Sequence, residues 1–118
     1  MADANRALVE RYYQLVDADD VGGLVALFAD EAVYERPGYE PLRGKRAIEA
    51  FYRADRVIES GRHSLSNVIA AGDDVAVEGG FSGVLRDGKI VDVRFADFFR
   101  VSDGRFRQRQ TYFFAASV

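Results

Sequence analysis

A carboxylate on an apolar strand face is the first feature of this chain with chemical consequence. It lies in VDVRFADFFRV, Val91 to Val101. In a strand, alternate side chains point to opposite faces, so one face reads Val91, Val93, Phe95, Asp97, Phe99, Val101. The other reads Asp92, Arg94, Ala96, Phe98, Arg100 and suits solvent. An ionised carboxylate among apolar neighbours is costly unless it is paired, hydrogen-bonded or protonated. Asp97 therefore marks either a functional site or a buried structural pair. The single histidine, His63, is the only side chain whose unperturbed pKa lies near neutrality, and it is a candidate base at the start of its strand. It has no second histidine and no spaced ligand motif, so neither a metal nor another cofactor is expected. Arg86, Arg94, Arg100, Arg105, Arg107 and Arg109 gather late in the chain, with Asp87, Asp92 and Asp103 among them, as on the solvated face of a sheet. Alternation on the last strand puts Arg109, Thr111 and Phe113 on one common face. There Arg109 either neutralises Asp97 or meets an acidic ligand group.

These residues need a scaffold, and 118 residues supply one compact domain, 1–118, and not two. The net charge of −3 disfavours non-specific binding to nucleic acid. With no cysteine there is no disulfide, thiolate metal site or cysteine nucleophile. The N-terminal MADANRALVERYY lacks the apolar core of a signal peptide, and no apolar run reaches membrane-spanning length. A cytoplasmic location is expected, with no membrane partner.

The pattern predicts helices first and strands after. Residues 4 to 17 form a helix with Leu8, Tyr12, Leu15 and Val16 on one stripe. DADD at 17 to 20 ends it and caps a second helix, Val21 to Phe28, buried through Leu24, Val25, Leu27 and Phe28. Glu31 to Glu35 is a short strand, and RPGYEPLRG, Arg36 to Gly44, is a loop. Lys45 to Arg56 is a third helix, with Ile48, Phe51 and Tyr52 on one side. Four strands follow: His63 to Ala71, Val75 to Leu85, Lys89 to Val101 and Arg105 to Phe114, with turns at RDGK and SDG. Helices followed by an antiparallel meander make an α+β fold. Gly79, Gly80 and Gly83 predict bulges or strong curvature in the second long strand. The expected shape is a cone: three helices packed on a strongly curved, mostly antiparallel sheet around a pocket.

RYYQLVDADDVGGLVALFADEAVYERPGYEPLRGKRAIEAFY, Arg11 to Tyr52, resembles the first half of a bacterial ketosteroid isomerase. VRFADFFRVSDGRF, Val93 to Phe106, resembles the strand bearing that family's buried aspartic acid. Nearly the whole chain is similar to the nuclear transport factor 2-like superfamily, which includes the SnoaL-like polyketide cyclases. The resemblance implies that Tyr12 donates a hydrogen bond to a substrate oxygen, that Tyr52 supports it, and that Asp97 is a protonated second donor. It also exposes a departure. The isomerase base is an aspartate just before the loop proline, and that position here is Arg36, which cannot act as a base. The hydrolase branch carries an aspartate in W-R-D-Y-F; here RQTYF, Arg109 to Phe113, puts Thr111 in its place. The same threonine bears on the cyclases, whose late-strand carboxylate it would replace.

The resulting expectation is an isomerase- or cyclase-like enzyme acting on a polar carbonyl compound. Tyr12 and Asp97 would stabilise an oxyanion, with Tyr52 behind them. The base would be His63, an ionised Asp97 or a water. Arg36, Arg109 and Thr111 would bind substrate, with Phe81, Phe95, Phe99 and Phe113 as cavity wall. Arg36 either enters the pocket or pairs on the loop with Glu35 or Glu40. The ligand would be a small organic molecule, anionic or enolisable. The alternatives are a ligand-binding module without turnover, or a dimerisation module with a vestigial pocket. A homodimer is expected, because Phe98, Tyr112 and Phe114 fall on the outer face, where apolar side chains signal a partner.

Overall fold

Helix α1, Ala2–Asp17, buries Asn5, Val9, Tyr12, Tyr13, Leu15 and Val16. These recur at helical spacing over a stripe wide enough to take the adjacent Tyr12 and Tyr13 together. The structure is a computed structural model that describes residues 2–115. Asp19 adopts a positive φ of 56° at the break after α1. Asp20 then caps α2, Val21–Val25, by accepting from the Gly23 N–H at 2.9 Å. Helix α2 stops before Phe28, short of its expected end. Gly22 and Gly23 weaken it, and Phe28 is already paired with Phe106 in the sheet.

Strand β1 is Phe28–Glu35, and the loop after it holds a two-residue strand β2, Leu42–Arg43. Helix α3 is α-helical only over Lys45–Ala50. Its expected last turns widen into a π-helical turn, Phe51–Asp55, closed by the Arg56 N–H on the Phe51 carbonyl at 2.8 Å. Such wide turns are rare and tend to occur at functional sites. Four long strands follow: β3 Ile58–Ala71, β4 Asp74–Leu85, β5 Ile90–Ser102 and β6 Arg105–Phe114. Among the described residues the fold is α+β, three helices on a six-stranded mixed sheet of order β2-β1-β6-β5-β4-β3. All neighbours pair antiparallel except β1 and β6.

Two expectations are corrected here. Strand β3 begins at Ile58, five residues before His63, because Ile58 and Ser60 to Arg62 pair with the end of β4. The sheet is also not strongly curled. The β4 glycines serve close strand approach instead: a Cβ on Gly79 would sit 2.3 Å from the Ser64 carbonyl oxygen, and one on Gly83 equally close to that of Ser60. The extra residues lie on the facing strand, where the β3 register slips between Ile58 and Ser60 and between Leu65 and Asn67.

The core is strongly aromatic. Phe28, Phe99 and Phe106 pack with ring centroids 4.8 and 5.2 Å apart at their closest pairs, and Tyr12 lies edge-on to all three. On β5 the burial alternates as expected, with Phe95, Asp97, Phe99 and Val101 inside. Phe98, Tyr112 and Phe114 on the other face are half or more exposed. Among the described residues no helix is long and apolar enough to cross a membrane.

Candidate functional site

Between α1, the π-helical turn and the inner sheet face lies a cavity of about 160 Å³. Each wall has its own element. Tyr12 and Val16 come from α1, Tyr34 from β1, Tyr52 from the π-helical turn and His63 from β3. Val91, Val93 and Phe95 of β5 form an apolar side, and Arg109, Thr111 and Phe113 reach in from β6. The alternation of β5 and β6 explains both rows.

Beneath the cavity floor lies a charged pair. Asp97 is fully buried and Arg109 is 5% exposed. Arg109 Nη2 donates to Asp97 Oδ2 at 2.7 Å, and the Tyr13 hydroxyl donates to the same oxygen. Thr111 Oγ1 donates to Oδ1 at 2.6 Å, and the Tyr34 hydroxyl stands 3.2 Å from that threonine oxygen. Asp97 is thus an acceptor on both oxygens. Burial pushes the Tyr13 and Tyr34 hydroxyls up from their ordinary pKa, so both hold their protons. The Asp97 charge offsets the desolvation of Arg109 and keeps the guanidinium protonated.

The other edge of Arg109 organises two tyrosines. Nη1 donates to the Tyr12 oxygen at 2.8 Å and lies 3.3 Å from that of Tyr52. The two hydroxyls also bond each other. Two hydroxyls own two protons, and their mutual bond uses one. Among the described residues no acceptor takes the other. Desolvation raises the Tyr12 pKa well above its usual value, outweighing the opposing pull of Arg109, so Tyr12 stays a donor. The pair therefore presents one spare O–H beside the cavity.

His63 supplies a second kind of group. Its Nδ1 is 2.6 Å from Asp17 Oδ1, and its backbone N–H donates to Asp17 Oδ2 at 2.9 Å. The ring packs among Tyr13, Phe81 and Phe95. Burial lowers its pKa from 6.5, and the Asp17 hydrogen bond and charge only partly oppose that. Nε2 has no protein partner among the described residues.

Residues 9–109 match the SnoaL-like domain family. The chain belongs to that family. Its fold is that of solved nuclear transport factor 2-like proteins. One from Burkholderia pseudomallei, of unknown function, superposes with a TM-score of 0.85 at 20% identity, covering 94% of this chain and 91% of its own. An LEH-like epoxide hydrolase of M. tuberculosis gives 0.84 at 22%, covering 96% and 84%. A ketosteroid isomerase-like protein from Catenulispora acidiphila, solved with trimethylamine, gives 0.81 at 22%, covering 94% and 88%.

Within this SnoaL-like domain the expected site residues divide. Tyr12, Tyr52, His63, Arg36, Arg109, Thr111, Phe81, Phe95 and Phe113 all line the cavity. Asp97 and Phe99 do not. Arg109 and Thr111 cover the carboxylate, and Phe99 is packed under Tyr12 against Phe106. Arg109 stands between Tyr12 and Asp97 and bonds both. His63 sits inside β3, not at its start, with its side chain 10% exposed. Among the described residues Arg36 has no ion pair with Glu35, Glu40 or Asp97; it faces the rings of Tyr39, Phe51 and Phe113. Sequence reasoning missed Tyr13, Tyr34, Asp17 and Arg56. Tyr13 was findable, since it adjoins Tyr12 on a wide apolar stripe. Asp17 reads as a helix breaker, and nothing local ties it to a histidine 46 residues away.

Proposed function

We propose that the domain is an enzyme that moves a proton within a small carbonyl compound, as in keto–enol isomerisation. The observation that carries this is the Asp17–His63 pair at 2.6 Å on the cavity wall. Asp17 accepts the Nδ1 proton and so leaves the lone pair on Nε2. Burial keeps the ring neutral at neutral pH, as a base requires. His63 thereby takes the role of the base that Arg36 replaces.

In the proposed step, Nε2 takes a proton from the carbon next to the carbonyl. The C–H electron pair forms the new C–C double bond, and the carbonyl π pair moves onto oxygen. That oxygen accepts the spare proton donor of the Tyr12–Tyr52 pair, with the Arg109 charge behind it. The imidazolium then returns its proton to a neighbouring carbon or to the oxygen. A ring closure starting from the same enolate would use the same groups. Asp97 acts through Arg109 as a positioning residue.

The test follows deuterium entry from D₂O next to the carbonyl of cyclohexanone and of 2-oxobutyrate, read by proton NMR. Exchange above the buffer rate is expected, with loss in His63→Ala. No exchange in the parent protein, or unchanged exchange in His63→Ala, refutes the reading. Binding without exchange would favour the alternative of a ligand-binding module, whose support is a cavity lined by arginines and apolar side chains. A homodimer through the outer sheet face is proposed on the exposure of Phe98, Tyr112 and Phe114. Phe98→Glu should then halve the mass seen in sedimentation, and a monomeric parent would dismiss it.

A further inference from the structure

The charge of the cavity does not balance. Arg36, Arg56 and Arg109 all reach it, and among the described residues no Asp or Glu lines it. Arg109 is neutralised from behind by Asp97. The other two are not. Among the described residues neither Arg36 nor Arg56 has an ion-pair partner, and Nε of each is buried without an acceptor. Arg56 is only 9% exposed, so little bulk water reaches it.

What holds these two side chains is aromatic. The Arg36 guanidinium carbon lies 5.2 Å from the Tyr39 ring centre, 5.3 Å from Phe51 and 5.7 Å from Phe113. That of Arg56 lies 5.4 Å from Tyr52. Ring faces attract and orient a planar cation but accept none of its N–H bonds in the plane. Two oriented forks are left with their donors unspent, and a buried cation without a counter-ion is costly. A fork of parallel N–H groups matches a carboxylate, which takes two bonds at once.

We propose that Arg36 and Arg56 are the anion-reading end of the cavity, and that its ligand is a small organic carboxylate. The apolar side formed by Val91, Val93 and Phe95 takes the body of the ligand, which favours an organic acid over an inorganic anion. Size sets a limit. A dry cavity of about 150 Å³ holds one benzene ring, and this one is about 160 Å³. The volume suits a ring-sized or short-chain acid. The inference deepens the proton-transfer reading of the same cavity, and rests on it only for the fate of the bound acid.

Benzoate and its neutral counterpart benzamide test the idea, with butyrate and sulfate as further probes. Binding to the whole protein is read by calorimetry and by the ¹⁵N shifts of the arginine Nε–H groups. Benzoate should bind at least about tenfold tighter than benzamide, and sulfate should compete only weakly. Arg36→Met and Arg56→Met should each weaken benzoate about tenfold and leave benzamide unchanged. Arg56→Lys should keep part of the affinity, and thermal melts confirm that each variant is folded. Equal binding of benzoate and benzamide, no effect of either methionine variant, sulfate binding as tightly as benzoate, or no millimolar binding of benzoate or butyrate would each overturn the proposal. Carboxylate binding without deuterium exchange would sink the proposed reaction and leave this inference standing. Exchange of cyclohexanone with no gain for any carboxylate would do the reverse.

Discussion

Replacing Asp97 by asparagine separates a structural acid from a reacting one. The carboxylate accepts from Arg109, Tyr13 and Thr111 in a fully buried position. The asparagine side chain would keep the volume, but its NH₂ would face donors and the Arg109 charge would lose its counter-ion. Breaking a buried pair from one side costs about 3–5 kcal/mol. Unfolding entropy of about 2.1 cal/mol/K per residue over 118 residues gives about 0.25 kcal/mol/K, so Asp97→Asn should lower Tm by about 12–20 °C. Removing both charges should restore much of this, because apolar replacement of a whole buried pair is often neutral. Thermal melts of Asp97→Asn, Arg109→Met and the double variant form the cycle. A coupling of at least about 2 kcal/mol is expected for groups in one network. Additive losses, or a Tm shift under about 4 °C for Asp97→Asn, would refute the strut role, and the acid would then have to be explained by chemistry.

Four other outcomes are expected. Because burial depresses the His63 pKa below its unfolded value, the neutral ring contributes stability above pH 6.5 that is lost as pH falls toward the folded pKa. Tm should therefore drop with acid less steeply in His63→Gln than in the parent. The same shift puts the rising limb of the proposed exchange rate below pH 6.5, and Asp17→Asn should move it lower still, since Asp17 raises the pKa; a limb moving upward would contradict the pairing. Tyr12→Phe removes the hydroxyl held by Arg109 and Tyr52 and should slow deuterium exchange about 100-fold, as single-turnover NMR would show. Gly79→Ala brings a Cβ to 2.3 Å from the Ser64 carbonyl oxygen, and overpacking against fixed backbone should cost about 1–3 kcal/mol by urea denaturation.

Strand β5 was legible because a half-buried strand announces itself by alternation, and Asp97 broke an otherwise apolar row. The helix stripes were legible for the same reason. What local pattern does not encode is pairing across the chain. The strand was expected to begin at His63, yet Ser60 to Arg62 extend β3 because β4 offers them a partner. Arg56 read as the tail of α3, and only the π-helical turn and the start of β3 bring it to the cavity. The resemblance placed Tyr12, Tyr52 and Asp97 together but made Asp97 a donor. Arg109, Tyr13 and Thr111, all donors to it, reverse that direction.

The position of Arg109 itself depends on one residue. Phe106 and Arg109 are both buried, an odd spacing that simple alternation forbids. The register resolves it: Val101 faces Phe106 while Arg100 faces Gln108, so Arg107 is an extra residue in β6. Past this bulge the parity of β6 changes. Arg109 and Thr111 turn inward opposite Phe99 and Asp97, and Gln108 and Gln110 turn away. Without the bulge the inner row would read Phe106, Gln108 and Gln110, and Asp97 would face Gln110 instead of Thr111, with Gln108 where Arg109 now stands. The half-turn just after Phe106, which closes the aromatic core with Phe28 and Phe99, thus delivers the guanidinium that neutralises Asp97 and holds Tyr12 and Tyr52. A single irregularity joins the core to the cavity floor, which is why an acid on an apolar strand and an arginine on the next strand can be read separately from sequence but their meeting cannot.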